Sequence, residues 1–334
     1  MKILLTGAAG QLGRELAPRL APYGEVIGID RAAVPGVSAS LQQDLGDAAA
    51  VERLLEDVGP ALIVNAAAHT AVDRAEEERE QAFRLNAELP AWLARWARIN
   101  GAPLLHYSTD YVFAGDARRP YCEDDKTAPL NVYGESKLAG EQAIAESGCR
   151  HVTLRTSWVY SGHGHNFVLT MLRLGAERDA LEVVDDQLGR PTWARNLARV
   201  SSRLVERWRT GAGRDSLSGL YHYADRTAVT WYGFAEHIFR VAHRLGMIDR
   251  VPQLHAVGSD RFQQAATRPA YSVLDTRRIE RVLDFRPAGV DVCRGLRHDG
   301  LLDEALLEKR AHLQAKIDAW HQQHPGQADR KSVV

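Results

Sequence analysis

Cysteine, lysine and long apolar runs are what this sequence of 334 residues has least of. Its three cysteines, Cys122, Cys149 and Cys293, are odd in number and widely spaced, which excludes a disulfide scaffold or a cysteine-built metal site. That usage fits a reducing, cytoplasmic compartment. No stretch approaches the roughly 18 consecutive apolar residues that a membrane span needs, and the densest run, 61–68, is interrupted by Asn65. Only Ile3, Leu4 and Leu5 precede Thr6, too little for the apolar part of a secretion signal. The 42 Lys and Arg balance 43 Asp and Glu to a net charge of -1, so no overall field recruits nucleic acid or an anionic membrane surface. No repeat and no low-complexity segment is present.

What is there is an ordinary globular composition, 45% hydrophobic and 25% charged, long enough for about two domains at roughly 150 residues each. Short aliphatic runs at 3–6, 26–30, 61–65, 103–108 and 152–155 read as buried strands. Amphipathic stretches at 11–20, 48–56, 77–99 and 133–146 read as helices between them. Strands alternating with helices of this length predict right-handed crossovers and an α/β fold, a doubly wound parallel sheet covered on both faces. After residue 156 the pattern loosens into helices at 167–177, 195–209 and 231–245 and strands at 181–185 and 220–223. The expected division is a first domain over 1–155 with further elements from about 181–230. A smaller, interleaved C-terminal substrate domain takes 156–180 and 231–322, ending in a helix at 301–321 and a polar tail at 323–334.

The first strand runs directly into Gly7-Ala8-Ala9-Gly10-Gln11-Leu12-Gly13, which opens a helix. Such a loop lets backbone N–H groups approach a pyrophosphate at the positive end of the helix, although a lone glycine loop is as easily a plain tight turn. Asp30 closes the second strand 17 residues after Gly13, where a ribose-binding acid is expected. Together they predict dinucleotide binding through Gly7, Gly10, Gln11, Leu12, Gly13 and Asp30. Arg31, the next residue, offers a guanidinium to a 2′-phosphate, so NADH and NADPH both remain open as cofactor.

Tyr133 and Lys137 stand four residues apart, on one face of a helix. Only 6 of the 42 cations are lysines, so chance alone yields well under one such pair among the 10 tyrosines. A solvated surface pair is the plain alternative. A compact ammonium about 4 Å from a phenol favours the tyrosinate by roughly 4 kcal/mol, about three pKa units, which predicts a Tyr133 pKa near ~7. Ser108-Thr109-Asp110 ends the strand at 103–108, at the edge where open α/β sheets bind ligands, though alone it reads more often as a cap or turn. His163-Gly164-His165 has metal-ligand chemistry but no third ligand nearby and reads as a solvated turn. The acids of 76–80 read as an exposed helix face.

In this order the glycine loop, the hydroxyl-bearing strand end and the Tyr-xxx-Lys helix resemble the extended short-chain dehydrogenase/reductase family. The resemblance spans about residues 1–300. It is carried by GAAGQLGREL at 7–16, VNAAAHTAVDRAE at 64–76, HYSTDYVFAG at 106–115, APLNVYGESKLAGE at 128–141, LRTSWVYSG at 154–162, DDQLGRPT at 185–192 and RPAYSVLD at 268–275. It implies a Rossmann-type fold, with Tyr133 as proton donor, Lys137 assisting the tyrosine and the ribose, and Thr109 as the tuning hydroxyl. Cofactor contacts are implied at Asp44, Leu45, Ala66, Ala67 and Ala68 besides the glycine loop, Asp30, Tyr133 and Lys137. Contacts to a dTDP-sugar are implied at Thr109, Asp110 and Trp158.

The activity implied is NAD(P)H-dependent reduction of the 4-keto group of dTDP-4-dehydro-L-rhamnose, in the cytoplasm, by a chain that can form a homodimer. The alternatives are a nucleotide-sugar 4-epimerase of the same fold and a non-catalytic NADP-binding regulatory subunit. Some family members hold Mg²⁺ between carboxylates at a dimer contact. Here Glu15 supplies one of them, but Arg195 falls at the other, so no metal is expected.

Overall fold

The computed structural model describes residues 1–34, 37–211 and 217–290; Cys293, the helix expected at 301–321 and the tail at 323–334 lie outside the described residues. In chain order the longer strands are β1 (Lys2–Thr6), β2 (Glu25–Asp30), β3 (Ala39–Gln42), β4 (Leu62–Asn65), β5 (Leu104–Thr109), β6 (His151–Thr156), β7 (Ala180–Val184), β8 (Gly219–His222) and β9 (Gln253–Val257). The helices are α1 (Gln11–Leu20), α2 (Ala48–Val58), α3 (Val72–Glu77), α4 (Arg79–Phe83), α5 (Leu89–Asn100), α6 (Val132–Glu146), α7 (Phe167–Glu177), α8 (Ala194–Thr210), α9 (Trp231–Arg244) and α10 (Arg277–Leu283).

Seven strands form one sheet in the order β8-β6-β5-β4-β1-β2-β3, and every pairing in it is parallel. A parallel sheet is covered on both faces, which explains why Ile3, Leu4 and Leu5 of β1 and Ile63 and Val64 of β4 are all fully buried. One face carries α1 and α8 through Leu16, Leu20, Leu197 and Leu204. The other carries α2, α5 and α6 through Leu54, Leu93 and Ile144. In a second cluster β7, α7 and α9 pack through Leu181, Val168, Phe234 and Phe239, and β9 pairs with β7 there. The strand order reverses between β1 and β4, and that switch point opens a crevice at the carboxyl ends of the strands.

Besides β9 and α10, which the sequence pattern did not show, two elements depart from it for identifiable reasons. Edge strand β3 has a single large apolar residue, Leu41, and is largely exposed, so no hydrophobic period announces it. The helix expected at 77–99 is broken. It starts earlier, kinks at Glu78 and passes through a π turn over Arg84–Glu88 before α5. The causes are tertiary. Glu78 turns back to bond His69 Nε2 at 2.9 Å, and the buried Asn86 amide bonds the His69 backbone and Ser136 Oγ.

Helix α6 is pressed tightly into place. Asn131 caps it by accepting from Gly134 N at 2.8 Å. A Cβ on Gly134 would lie 2.3 Å from Tyr111 O, and one on Gly140 would lie 2.1 Å from Asn86 O. Only glycine permits this approach, which seats Tyr133 and Lys137 against the sheet.

Candidate active site

The crevice is a cleft of ≈ 1320 Å³, larger than the roughly 300–1,000 Å³ that holds a drug-sized ligand. The glycine loop forms one wall, and each glycine has its own reason. Gly7 has φ +66°, and a Cβ there would lie 2.6 Å from the backbone of Ala66 and Ala67. A Cβ on Gly13 would lie 2.2 Å from Gly7 O, so Gly13 lets α1 start directly on the strand. Gly10 is different, because its nearest atom would be Gly7 O at 3.1 Å. Gly10 is also the N-cap of α1 and no side chain caps that end. Apart from that one contact the space beside Gly10 is clear, a cradle in which a diphosphate would meet the first amides of α1.

Asp30 ends β2 inside the cleft, its carboxylate accepting from Ala9 N at 2.9 Å and from Arg31 N at 2.7 Å. It therefore ties the glycine loop to β2. Arg31 is exposed beside it, and Asp44, Leu45, Ala66, Ala67 and Ala68 complete this part of the lining. Two buried hydroxyls among the lining residues, Ser108 Oγ and Thr156 Oγ1, have no partner in the protein. Unsatisfied buried hydroxyls cost about 1–3 kcal/mol each, so cradle and hydroxyls together fit a polar ligand such as a dinucleotide.

Tyr133 and Lys137 line the same cleft. Burial pushes the Tyr133 phenol up to about 12, only partly opposed by a hydrogen bond with Thr109, and the neighbouring Asp110 raises it further. This overturns the value near 7 expected from an opposing ammonium. Lys137 Nζ donates instead to Tyr107 O at 2.6 Å and faces His106 Nε2 at 3.4 Å. Burial lowers its own pKa to about 8, with Glu141 pulling the other way.

Thr109, Asp110 and Trp158 are not among the residues that line the cleft. Thr109 Oγ1 accepts from Tyr111 N and donates to Asp110 Oδ1, both at 3.1 Å. Burial lifts the Asp110 carboxyl to about 6. Trp158 has φ +47°, uncommon for a bulky residue, and its indole stacks on Trp231 with centroids 3.5 Å apart. Gly189 makes room for the ring, since a Cβ there would lie 2.5 Å from Trp158 Cε2. Such strain persists where surrounding contacts over-determine it, and it concentrates near functional sites.

Sequence reasoning missed Gly164 and His165, which line the cleft because Gln11 reaches their loop. Gln11 Oε1 accepts from Ser161 Oγ at 3.2 Å and Asn166 Nδ2 at 2.9 Å, while its Nε2 donates to His165 O. Only the side-chain amide of Gln11 in the glycine loop could have hinted at this. Among the described residues no group of three His, Cys, Asp or Glu is placed to hold a metal. Glu15 is buried and paired with Arg19 at 2.8 Å, with Arg195 and Arg199 close enough to act on Arg19. No described helix is long and apolar enough to cross a membrane.

Fold and cleft together define a Rossmann-type α/β protein with a dinucleotide crevice at its switch point. The family model described as the RmlD substrate binding domain matches residues 1–290. A dTDP-4-dehydrorhamnose reductase from Shigella flexneri is 43% identical over 280 residues, 84% of this chain and 91% of the relative. One from Escherichia coli K12 is 42% identical over 280 residues, with the same coverage. The structure of the Bacillus anthracis dTDP-4-dehydrorhamnose reductase in complex with NADP aligns with TM-score 0.76 at 33% identity, covering 90% of this chain and 98% of that one. The Clostridium acetobutylicum structure gives TM-score 0.77 at 34% identity over 92% and 100% of the two chains. This chain belongs to the dTDP-4-dehydrorhamnose reductase family.

Proposed function

We propose that the chain reduces the 4-keto group of dTDP-4-dehydro-L-rhamnose to give dTDP-L-rhamnose, using NADPH or NADH, with Tyr133 as the proton donor. One observation carries the reading: a phenol that keeps its proton, hydrogen-bonded to Thr109, stands in the cleft that also holds the glycine loop and Lys137. Reduction needs a group that is protonated when the substrate arrives, and a Tyr133 pKa pushed up to about 12 meets that need. The relatives named above are dTDP-4-dehydrorhamnose reductases, and one of them was solved with NADP.

When bound, the reduced nicotinamide supplies the hydride; the protein orients, excludes water and moves the proton. The amides of Gln11 and Leu12, with Gly10 leaving room beside them, would hold the diphosphate at the start of α1. Asp30 and Arg31 take the adenosine ribose, with Asp44, Leu45 and the 66–68 loop closing around the adenine half. Lys137 presents its ammonium towards the other ribose. Tyr133 Oη gives its proton to the oxygen of the former ketone, and the Thr109 hydroxyl, by turning its proton from Asp110, steadies the phenolate that remains. Asp110 and Trp158 are assigned to the sugar nucleotide. We place the reaction in the cytoplasm.

The test is stoichiometry. Purified protein mixed with NADPH and the keto sugar loses absorbance at 340 nm mole for mole with new 4-hydroxyl. An epimerase would release a stereoisomer without that loss, and a regulatory subunit would bind the dinucleotide and turn nothing over.

A further inference from the structure

A row of polar side chains crosses the otherwise aliphatic sheet directly beneath the cleft. Thr6 on β1 is in register with Asn65 on β4, and Asn65 with His106 on β5, so all three project from the same face. Each is essentially inaccessible to solvent. Burying three polar residues where Leu or Val would pack is costly unless each is fully paired. They are paired, end to end. Ala67 N donates to Thr6 Oγ1 at 3.3 Å, and Thr6 Oγ1 donates to Asn65 Oδ1 at 2.6 Å. Asn65 Nδ2 lies 3.0 Å from His106 Nδ1, and His106 Nε2 lies 3.4 Å from Lys137 Nζ.

The direction of this chain is fixed at its start, because a backbone N–H can only donate. Thr6 accepts from Ala67 and has one proton to pass on, and the 2.6 Å contact with Asn65 is the length of an O–H···O bond rather than an N–H···O bond. The Asn65 amide therefore turns its NH₂ towards His106. His106 Nδ1 must accept, so the neutral ring carries its proton on Nε2 and directs it at Lys137. Turning the amide over would aim two donors at Thr6 Oγ1 and leave a buried hydroxyl proton to find another acceptor.

We propose that Thr6, Asn65 and His106 form a hydrogen-bond chain of fixed direction that sets the proton affinity of Lys137, with His106 as its positioning residue. Because the ring presents a donor to Nζ, it favours the amine over the ammonium. Tyr107 O is the acceptor that holds the charged form in place. Of the other ionisable groups, Glu141 acts on Lys137 from its own helix and is held in a two-point ion pair by Arg155 on β6, while Asp110, after β5, acts on Tyr133. None of these supplies the donor that His106 does. The chain thus brings a buried lysine close to its working pH, and it links that lysine to the Ala67 amide in the cofactor loop. The functional part rests on the reductase reading above; the tautomer does not.

Two measurements test it. In ¹⁵N NMR of histidine-labelled protein, the His106 ring should carry its proton on Nε2 throughout neutral pH; a proton on Nδ1 overturns the proposal whether or not the protein is a reductase. In kinetics, the alkaline limb of kcat/KM reports an ionisation of the free enzyme. His106→Gln can turn a carbonyl to the ammonium, and should move that limb upwards by half a pH unit or more with the Kd for NADPH within twofold of wild type. Thr6→Val, which frees Asn65 to turn over, should move it the same way and covers a failure of the first variant to fold. A limb that stays in place in both variants, or a fall in rate and thermal stability without any shift, overturns the tuning role.

Discussion

Lys137 Nζ donates to the main-chain oxygen of Tyr107 at 2.6 Å, so the one buried lysine of the cleft is anchored to the sheet rather than to the tyrosine four residues before it. The contact keeps an ammonium in a place where burial opposes it. Burial lowers the Lys137 pKa to about 8 from its usual value near 10.5. Below pH 8 the native state bears the full cost of the buried charge. As pH rises towards 10.5 the native state releases the proton while the unfolded chain keeps it, so stability rises with pH in that window. Lys137→Met abolishes this gain. The difference in unfolding free energy should shift by about 2 kcal/mol in favour of the wild type between pH 8 and 10, measured by urea denaturation. A pH-independent difference would place the lysine's pKa elsewhere.

The glycine loop separates fold from function. Gly13→Ala puts a methyl 2.2 Å from Gly7 O, a clash with rigid backbone. It should lower stability by about 3 kcal/mol or more. Gly10→Ala meets only Gly7 O at 3.1 Å, a contact relieved by a shift of a few tenths of an ångström, and should cost far less stability than Gly13→Ala. Its methyl should nonetheless weaken NADPH at least tenfold by filling the open cradle. Thermal unfolding paired with a dinucleotide titration distinguishes the two, and equal behaviour of both variants would refute the assignment.

We expect cofactor choice to lie with two neighbouring residues of opposite charge, Asp30 and Arg31. Asp30 accepts one backbone N–H at each oxygen and keeps acceptor capacity for the ribose, whereas the exposed Arg31 can swing towards a 2′-phosphate. Arg31→Ala should reduce kcat/KM for NADPH by about tenfold, near 1.4 kcal/mol, and leave NADH unchanged. Equal losses for the two cofactors would mean that Arg31 never meets the phosphate.

Glu15 is already neutralised by Arg19 at 2.8 Å, close to Arg195. EDTA should therefore leave turnover unchanged. Loss of activity that Mg²⁺ alone restores would show that a metal displaces the arginine.

Much of the architecture was legible because the local signals agreed. Helices α1 and α7 begin and end where their periodicity does, and β1 and β4 are short, mostly aliphatic runs. Edge strand β3 was not legible, since hydrogen bonds to β2 make it a strand and its side chains face water. The π turn before α5 was hidden because it depends on Asn86 meeting His69 and Ser136, 17 and 50 residues away. Within the cleft, the spacing of Tyr133 and Lys137 was visible but the direction of Nζ was not, because Tyr107 O becomes its partner only when β5 lies under α6. His165 escaped for the same kind of reason, since Gln11 brings its loop to the cleft from 154 residues away.

The central claim is that Tyr133 delivers the proton, and the Tyr133→Phe variant tests it most directly. The change keeps the ring and its edge contact with Tyr111, whose centroid lies 5.6 Å away, and removes only the hydroxyl. Turnover of the keto sugar, followed at 340 nm with saturating NADPH, should fall by about 10² or more, with the Kd for NADPH within twofold of wild type. Turnover within a few-fold of wild type would contradict the account and assign the acid to another group.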